Sequence, residues 1–171
     1  TTANINDMRN LYFADGTTKK YTDINYQLAG GAATSGNDLL YGTAGADTIN
    51  ALAGNDTIMG SASADIIDGG ADKDTVSYAA STAAVTVNLS SAAAQSGGSA
   101  AGDILSNIEN VTGSNFNDTL TAAASGSILN GGMGNDTLNG GVGYDTMIGG
   151  AGADIINGSA GTDTVNYYAS D

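Results

Sequence analysis

Single apolar residues recur every nine positions along most of the chain, with polar or small residues on either side. Each lies in the middle of a three-residue segment such as Thr48-Ile49-Asn50, which suits a very short strand whose central side chain points inward. One such unit cannot bury its single apolar side chain. The period therefore predicts an all-β solenoid whose stacked units share one thin core. The apolar positions are Leu40, Ile49, Ile58, Ile67 and Val76 in a first run, and Leu120, Leu129, Leu138, Met147, Ile156 and Val165 in a second.

An aspartate stands two residues before nearly every apolar position. Ten of the 18 acidic residues belong to this series, and the one miss is Ser127. Glycines recur two and five positions before the aspartate, where they permit positive φ angles and a close approach of carbonyl oxygens. Each unit thus joins a short strand to a turn with a hard anionic oxygen, which predicts a metal-binding loop. The aspartates are Asp38, Asp47, Asp56, Asp65 and Asp74, then Asp118, Asp136, Asp145, Asp154 and Asp163.

The loops resemble the RTX (repeats-in-toxin, haemolysin-type) calcium-binding nonapeptide, G-G-x-G-x-D-x-U-x, where U is apolar. The best copies are residues 131–139, Gly-Gly-Met-Gly-Asn-Asp-Thr-Leu-Asn, and residues 140–148, Gly-Gly-Val-Gly-Tyr-Asp-Thr-Met-Ile; a third covers 149–157. The resemblance extends directly over residues 33–77 and 113–166. It implies a right-handed parallel β-roll in which two nonapeptides form one coil, so that each loop stacks on the loop 18 residues away.

The resemblance also implies how calcium is held. One loop supplies the carbonyl oxygens of its second and fourth residues and its aspartate, and the loop 18 residues on supplies the carbonyls of its first and third residues and its aspartate. Hard oxygen ligands suit calcium, and the lack of His and Cys argues against zinc or copper. The implied pairs are Asp38 with Asp56, Asp47 with Asp65, Asp56 with Asp74, Asp118 with Asp136, Asp136 with Asp154, and Asp145 with Asp163.

We expect about six calcium ions, which would nearly balance the formal charge of −14 and couple metal binding to folding. No site is expected through Ser127. The loops before Asp65, Asp74 and Asp118 depart from the pattern and predict weaker sites. Besides the aspartates, the loop positions assigned to the sites are Gly36, Gly45, Gly54, Gly60, Gly69, Gly131, Gly132, Gly134, Gly140, Gly141, Gly143, Gly149, Ala151, Gly158 and Ala160.

Four segments are predicted: an N-terminal hairpin or cap at 1–32, a first β-roll block at 33–77, a spacer at 78–112 and a second block at 113–171. Alternating apolar residues predict a strand around Val87 in the spacer. Asp103 or Glu109 could add a calcium ligand there, although packing is the favoured interpretation. An Asp-Gly turn predicts a hairpin near the N-terminus, and a helix could start at Thr22. This end either caps the solenoid, which we favour, or forms a docking surface.

Composition narrows the partners. The strongly negative charge, with only four Lys and Arg, disfavours nucleic acid and anionic lipid. No apolar run approaches membrane-spanning length, so membrane insertion is not expected. Without His or Cys, and with ten equivalent aspartates, the chain offers no catalytic pair, and we predict that it is not an enzyme.

Three functions remain. The first is a structural calcium-binding segment of an extracellular surface protein, such as an adhesin or surface-layer protein. The alternatives are the non-catalytic secretion and folding module of a secreted protease, lipase or epimerase, and a toxin repeat domain. For all three the resemblance implies type I secretion and folding outside the cell. Residues 74–81 recur as 163–170, at an offset of 89, which favours a segment of a longer chain with flanking repeats. Self-association through an open solenoid edge is a further expectation.

Overall fold

The computed structural model describes residues 33–167, together with the backbone of residues 10–12 and 18–20. Strands β1 (Asn10–Tyr12) and β2 (Thr18–Lys20) pair antiparallel; the Asp-Gly turn predicted to join them lies outside the described residues. The helix start predicted at Thr22 and the remainder of the predicted N-terminal cap lie outside the described residues.

Short strands follow one another at nearly regular intervals through the rest of the described chain, and most contain three residues. A single 3₁₀ turn, Gly98–Ala100, interrupts them within the spacer. The strands are β3 (Leu39–Tyr41), β4 (Thr48–Asn50), β5 (Thr57–Met59), β6 (Ile66–Asp68), β7 (Thr75–Ser77), β8 (Thr86–Asn88), β9 (Ile104–Ser106), β10 (Asn110–Thr112), β11 (Thr119–Thr121), β12 (Ile128–Met133), β13 (Thr137–Asn139), β14 (Val142–Gly143), β15 (Thr146–Ala151), β16 (Ile155–Asn157), β17 (Ala160–Gly161) and β18 (Thr164–Asn166).

These strands stack in parallel into a solenoid, as the nine-residue period predicts. One sheet has seven strands in the order β18-β15-β12-β10-β7-β5-β3. The other side of the solenoid has two sheets, β4-β6-β9 and β16-β13-β11-β8. Within each repeat block the register joins residues 18 apart, such as Leu40 with Ile58 and Leu120 with Leu138. The short strands β14 and β17 pair within the loops.

A single line of apolar side chains fills the solenoid. In strands such as β5 and β13 the central residue is buried and its two neighbours are partly exposed, which is the expected alternation. Neighbouring turns bury each other's central residues, so the thin core is continuous. The buried apolar residues are Leu40, Ala51, Ile58, Ile67, Val76, Tyr78, Val85, Val87, Ala100, Leu105, Ile108, Val111, Leu120, Ala122, Leu129, Leu138 and Met147.

The strands of the spacer do not stack in the order in which they occur in the sequence. Strand β8 comes first in the chain, yet it pairs with β11 of the second repeat run. Strand β9 comes later, yet it pairs with β6 of the first run. Between them, Gln95 and Ser96 double back: Ser96 bridges Thr86 in antiparallel fashion, and Gln95 donates to the Asp103 carbonyl. The spacer therefore contributes a strand to each repeat run and links them through more than the covalent chain.

Strand β10 restores the repeat phase. Val111 pairs with Val76 on one side and with Leu129 on the other, so the seven-stranded sheet passes through the spacer without a break. The sequence interval to Val76 is 35 residues instead of 18, because the doubled-back segment has been inserted. No helix in the described part of the chain is long and apolar enough to span a membrane.

Candidate metal centre

The carboxylates lie in two columns along the solenoid, because each aspartate directly precedes a strand. The first column precedes the strands of the seven-stranded sheet, and the second precedes those of the other two sheets. The first column contains Asp38, Asp56, Asp74, Glu109, Asp145 and Asp163, with Ser127 in the place of one carboxylate; the second contains Asp47, Asp65, Asp103, Asp118, Asp136 and Asp154.

One oxygen of each stacked carboxylate is held by backbone. Its Oδ1 accepts a hydrogen bond from the backbone N–H of the column residue one turn earlier, as between Asp118 N and Asp136 Oδ1 at 2.8 Å. All six aspartate pairs predicted from the sequence are joined in this way, at donor–acceptor distances from 2.7 to 3.1 Å. Ser127 keeps the same link, since its N–H donates to Asp145 Oδ1 at 2.7 Å.

The second oxygen, Oδ2, divides eight of the ten aspartate loops into two classes of four; the loops of Asp154 and Asp163 belong to neither. In the first class, which we call the open loops, Oδ2 is buried and has no hydrogen-bond partner; these are the loops of Asp56, Asp74, Asp136 and Asp145. A buried carboxylate oxygen without a partner is costly, and a neighbouring carboxylate adds repulsion. A bound cation would remove both penalties, so these loops have the arrangement expected of a cation site.

In the second class, the capped loops, the chain itself satisfies the same oxygen. Asp38, Asp47, Asp65 and Asp118 each accept at Oδ2 from a Thr or Ser four residues earlier. Thr34 N donates to Asp38 at 2.7 Å, and Ser61 Oγ donates to Asp65 at 2.6 Å. These caps are not among the features predicted from the nine-residue pattern. Their signal is visible in the sequence, because Thr34, Thr43, Ser61 and Ser114 stand where the repeat has its second glycine.

Backbone conformation separates the same two classes. The residue four positions before the aspartate has positive φ in the open loops: 78° at Leu52, 98° at Gly70, 104° at Gly132 and 96° at Gly141. In the capped loops this residue does not have positive φ. Glycine adopts this conformation without strain, whereas Leu52 adopts it at a cost in free energy.

In three of the four open loops, the first glycine leaves room for two converging oxygens; the Asp56 loop has Ala51 at this position. A β-carbon placed on Gly140 would lie 2.6 Å from the Gly158 carbonyl oxygen and 2.8 Å from Asp145 Oδ2. The same construction at Gly131 meets Asp136 Oδ2 and the Gly149 carbonyl oxygen. At Gly131 and Gly140 a carboxylate oxygen and a carbonyl oxygen from the next turn thus face one small space, which a β-carbon would fill.

The other predicted positions lie around these spaces. Ala160 N–H donates to the Gly141 carbonyl, and the Ala151 carbonyl accepts from Gly134 N–H, each at 2.8 Å. A carbonyl oxygen has two lone pairs, so this bond does not exhaust the Ala151 carbonyl as a ligand. Positive φ occurs at Gly54, Gly132, Gly134, Gly141 and Gly143; Gly36, Gly45, Gly60, Gly69, Gly131, Gly140, Gly149 and Gly158 have ordinary φ angles.

Burial makes the open carboxylates weak acids in this structure. Burial, together with the smaller effect of nearby carboxylates, raises the pKa of Asp74 and Asp136 to about 6, despite an opposing hydrogen bond from the preceding column residue. Burial raises the pKa of Asp56 and Asp145 in the same direction. A positive charge beside these groups would therefore stabilise their ionised form.

One position in the second column is filled by a side chain. The fully buried Tyr78 donates its hydroxyl to Asp103 Oδ2 at 2.7 Å, while Asp103 Oδ1 accepts from Asp65 N–H. The Tyr78 ring lies against Gly60, where the repeat would place its first glycine. Burial beside Asp103 raises the pKa of the Tyr78 phenol, which keeps the donor proton in place. The Asp103 carboxylate is thus satisfied by protein groups, in line with the favoured packing interpretation.

The donor set is made of oxygen alone. Within residues 33–167 no three or more His, Cys, Asp or Glu side chains cluster as a metal site would require, so a cation here must combine carboxylates with backbone carbonyls. Calcium accepts such a set, with about six to eight oxygen ligands in flexible geometry. The buried, unpartnered Oδ2 atoms and the spaces beside the first glycines fit this ion.

Comparison with known families agrees with this chemistry. The model of the RTX calcium-binding nonapeptide repeat matches in four copies, at residues 32–62, 51–80, 112–147 and 144–167. The chain belongs to the RTX calcium-binding repeat family. Its repeats are calcium-binding and form a β-roll, a module that is typically structural. RTX proteins are generally secreted by type I systems. No curated protein matches the chain.

Proposed function

We propose that this RTX β-roll is a calcium-dependent structural segment of a secreted or cell-surface protein of the adhesin or surface-layer type. The observation that carries the proposal is the set of four buried Oδ2 atoms, on Asp56, Asp74, Asp136 and Asp145, that no protein group satisfies. A fold with such a cost is stable where calcium is abundant and unstable where it is scarce. This difference separates the extracellular medium from the cytosol.

The open loops identify the residues that would hold calcium. Asp136 Oδ2 faces the first carbonyl of the loop that carries Asp154, and Asp145 Oδ2 faces that of the Asp163 loop. Asp56, hydrogen-bonded to Asp74, forms the corresponding pair in the first repeat run. When bound, calcium supplies the positive charge that lets neighbouring carboxylates ionise together. The backbone link through Oδ1 already sets their spacing.

The capped loops supply a complementary property. Asp38, Asp47 and Asp118 belong to predicted pairs, but a Thr or Ser donates a hydrogen bond to the Oδ2 atom of each. These turns therefore need no cation to offset the free-energy cost of burying the carboxylate. We infer that calcium occupies the open pairs first, and that the sequence-based number of about six ions is an upper value for tight binding.

A structural role agrees with the architecture. The core of residues 33–167 is a continuous line of apolar residues, and the spacer holds the two repeat runs together through β8 and β9. The motif at 74–81 and its recurrence at 163–170 support a longer array of such units. These features suit a stiff extension better than a soluble enzyme's secretion tag, which needs no interlocked spacer.

Circular dichroism during a calcium titration, followed by reversal with EDTA, tests the proposal. We expect β-structure to appear with calcium and to disappear with the chelator, and magnesium at equal concentration to be a poor substitute because it favours rigid, partly hydrated sites. A β-signal that is the same in calcium and in EDTA would contradict calcium-dependent folding. Surface labelling of the native cells with an antibody to residues 33–167 would test the location.

A further inference from the structure

The junction between the first repeat run and the spacer contains an open carboxylate whose column neighbour is not an aspartate. Asp74 is fully buried, and its Oδ2 has no hydrogen-bond partner. Its Oδ1 accepts from Asp56 N–H at 2.9 Å, as in the ordinary stack. A bound cation would offset the cost of burying this unpartnered oxygen, as it would for Oδ2 of Asp136 and Asp145 in the second run.

Glu109 takes the place of the next aspartate. Its Oε2 accepts a 3.0 Å hydrogen bond from Asp74 N–H, the bond that Oδ1 of an aspartate accepts elsewhere in the column. The Asp74 carbonyl in turn accepts from the N–H groups of Glu109 and Asn110. The longer glutamate side chain thus reaches the column from a segment that follows Asp74 by 35 residues instead of 18.

Asn107 supplies the carbonyl that a repeat loop would supply. A β-carbon on Gly69 would lie 2.7 Å from Asp74 Oδ2 and would overlap the Asn107 carbonyl oxygen. The same two atoms, a carboxylate oxygen and a carbonyl from the next turn, converge beside Gly140 in the second run. Asn107 has a positive φ of 49°, which an asparagine tolerates better than most residues and which shapes this turn.

We propose that Asp74, Glu109 and the Asn107 carbonyl form a further calcium site that joins the first repeat run to the spacer. The inference rests on the proposed calcium binding, but it adds a site outside the family pattern. Asn107 and Glu109 lie between the matched repeats, which end at residue 80 and resume at residue 112. All three groups are hard oxygen donors, as calcium requires.

The site would bind the two repeat runs together. Glu109 and Asn107 immediately precede β10, which pairs with β7 on one side and β12 on the other. Calcium at this site would therefore link the Asp74 loop, the last loop of the first run, to β10, the strand at which the repeat resumes. Asp103, in the second column, offers the contrasting case, because the Tyr78 hydroxyl already donates to its Oδ2 atom.

Counting bound ions in matched variants tests the site. Native mass spectrometry and isothermal titration with calcium alone would be run on the wild type, Glu109→Gln and Asp103→Asn. We expect Glu109→Gln to lose one bound ion and Asp103→Asn to keep the wild-type number, since each change removes one carboxylate charge from the spacer. Gly69→Ala, which places a methyl group in the space between Asp74 and Asn107, should also lose one ion.

The outcomes separate the two proposals. If the wild type binds calcium and Glu109→Gln binds the same number of ions with the same affinity, the junction site is wrong and the repeat sites stand. If both spacer variants lose an ion, the loss reflects general damage to the spacer and the junction site is again wrong. If the wild type binds no calcium, the proposed function fails. Should Gly69→Ala not fold, the comparison of Glu109→Gln with Asp103→Asn still decides the question.

Discussion

The Tyr78 hydroxyl donates a 2.7 Å hydrogen bond to Asp103 Oδ2, in the place where an open loop leaves a carboxylate oxygen unpartnered. Tyrosine and aspartate are 25 residues apart and both are fully buried. A protein donor thus does at this turn what a cation would do in the open loops. The spacer can therefore keep its fold at this edge without metal.

Removing this hydroxyl should destabilise the protein even when calcium is saturating. We expect Tyr78→Phe to lower the free energy of unfolding by about 1–3 kcal/mol, because it leaves the buried Asp103 oxygen without its donor. Denaturant unfolding in excess calcium measures the change. Tyr144→Phe is the matched control: Tyr144 is 79% exposed, so its loss of a hydroxyl should change stability by less than about 0.5 kcal/mol. Equal effects in the two variants would contradict the assignment.

Open and capped aspartates should respond differently to loss of charge. Asp136→Asn removes a carboxylate whose outer oxygen is unpartnered, whereas Asp38→Asn removes one that Thr34 already caps. We expect Asp136→Asn to weaken calcium binding by at least tenfold, and Asp38→Asn to change it by much less. Calcium titration followed by circular dichroism checks both. An effect of Asp38→Asn as large as that of Asp136→Asn would mean that the caps do not distinguish the loops.

Converting a capped loop into an open loop should create a new calcium site. Ser114 donates through its N–H and its hydroxyl to Asp118, and glycine at this position would remove the hydroxyl and allow positive φ. We expect Ser114→Gly to raise the number of bound calcium ions by one, as counted by native mass spectrometry. Ser125→Gly serves as the control, since Ser125 is exposed and no aspartate follows it by four residues. An unchanged ion count in Ser114→Gly would show that the cap does not govern occupancy.

Mild acid should stabilise the calcium-free protein. The pKa of Asp74 and Asp136 is about 6 in the folded state, because burial raises it above the value of about 4 in an unfolded chain. The folded state therefore binds more protons, so stability in EDTA rises as the pH falls from 7 through 6 and is lost as the pH rises again. Circular dichroism of the calcium-free protein in EDTA at pH 7 and pH 5 measures this as a higher β-content at pH 5. A lower β-content at pH 5 than at pH 7 would contradict the burial of these carboxylates.

Excess calcium should reverse this pH dependence. The ionised carboxylate binds the cation, so protons compete with calcium, and the apparent affinity falls as the pH drops through about 6. Calcium titrations at the same two pH values complete the comparison. The opposite signs in EDTA and in calcium distinguish this mechanism from a general effect of acid on the net charge.

The sequence by itself determined the solenoid, its register and the six aspartate pairs. This was possible because the information is local and repeated: a nine-residue unit places one side chain inward and one carboxylate at the turn, and stacking every second unit sets the interval of 18. Because an apolar residue follows each of these aspartates by two positions, few other arrangements would bury all the apolar side chains. Whether calcium occupies each pair remains a prediction.

Only the tertiary structure decided the arrangement of the spacer and the state of each second oxygen. The exchange of partners by β8 and β9, and the contact of Tyr78 with Asp103, join residues across intervals that no period marks. Likewise, Glu109 enters the column only because the doubled-back segment brings it beside Asp74. The physical reason is that a periodic pattern fixes which side chains face inward, whereas the satisfaction of a buried carboxylate depends on whichever donor the fold brings within hydrogen-bonding distance.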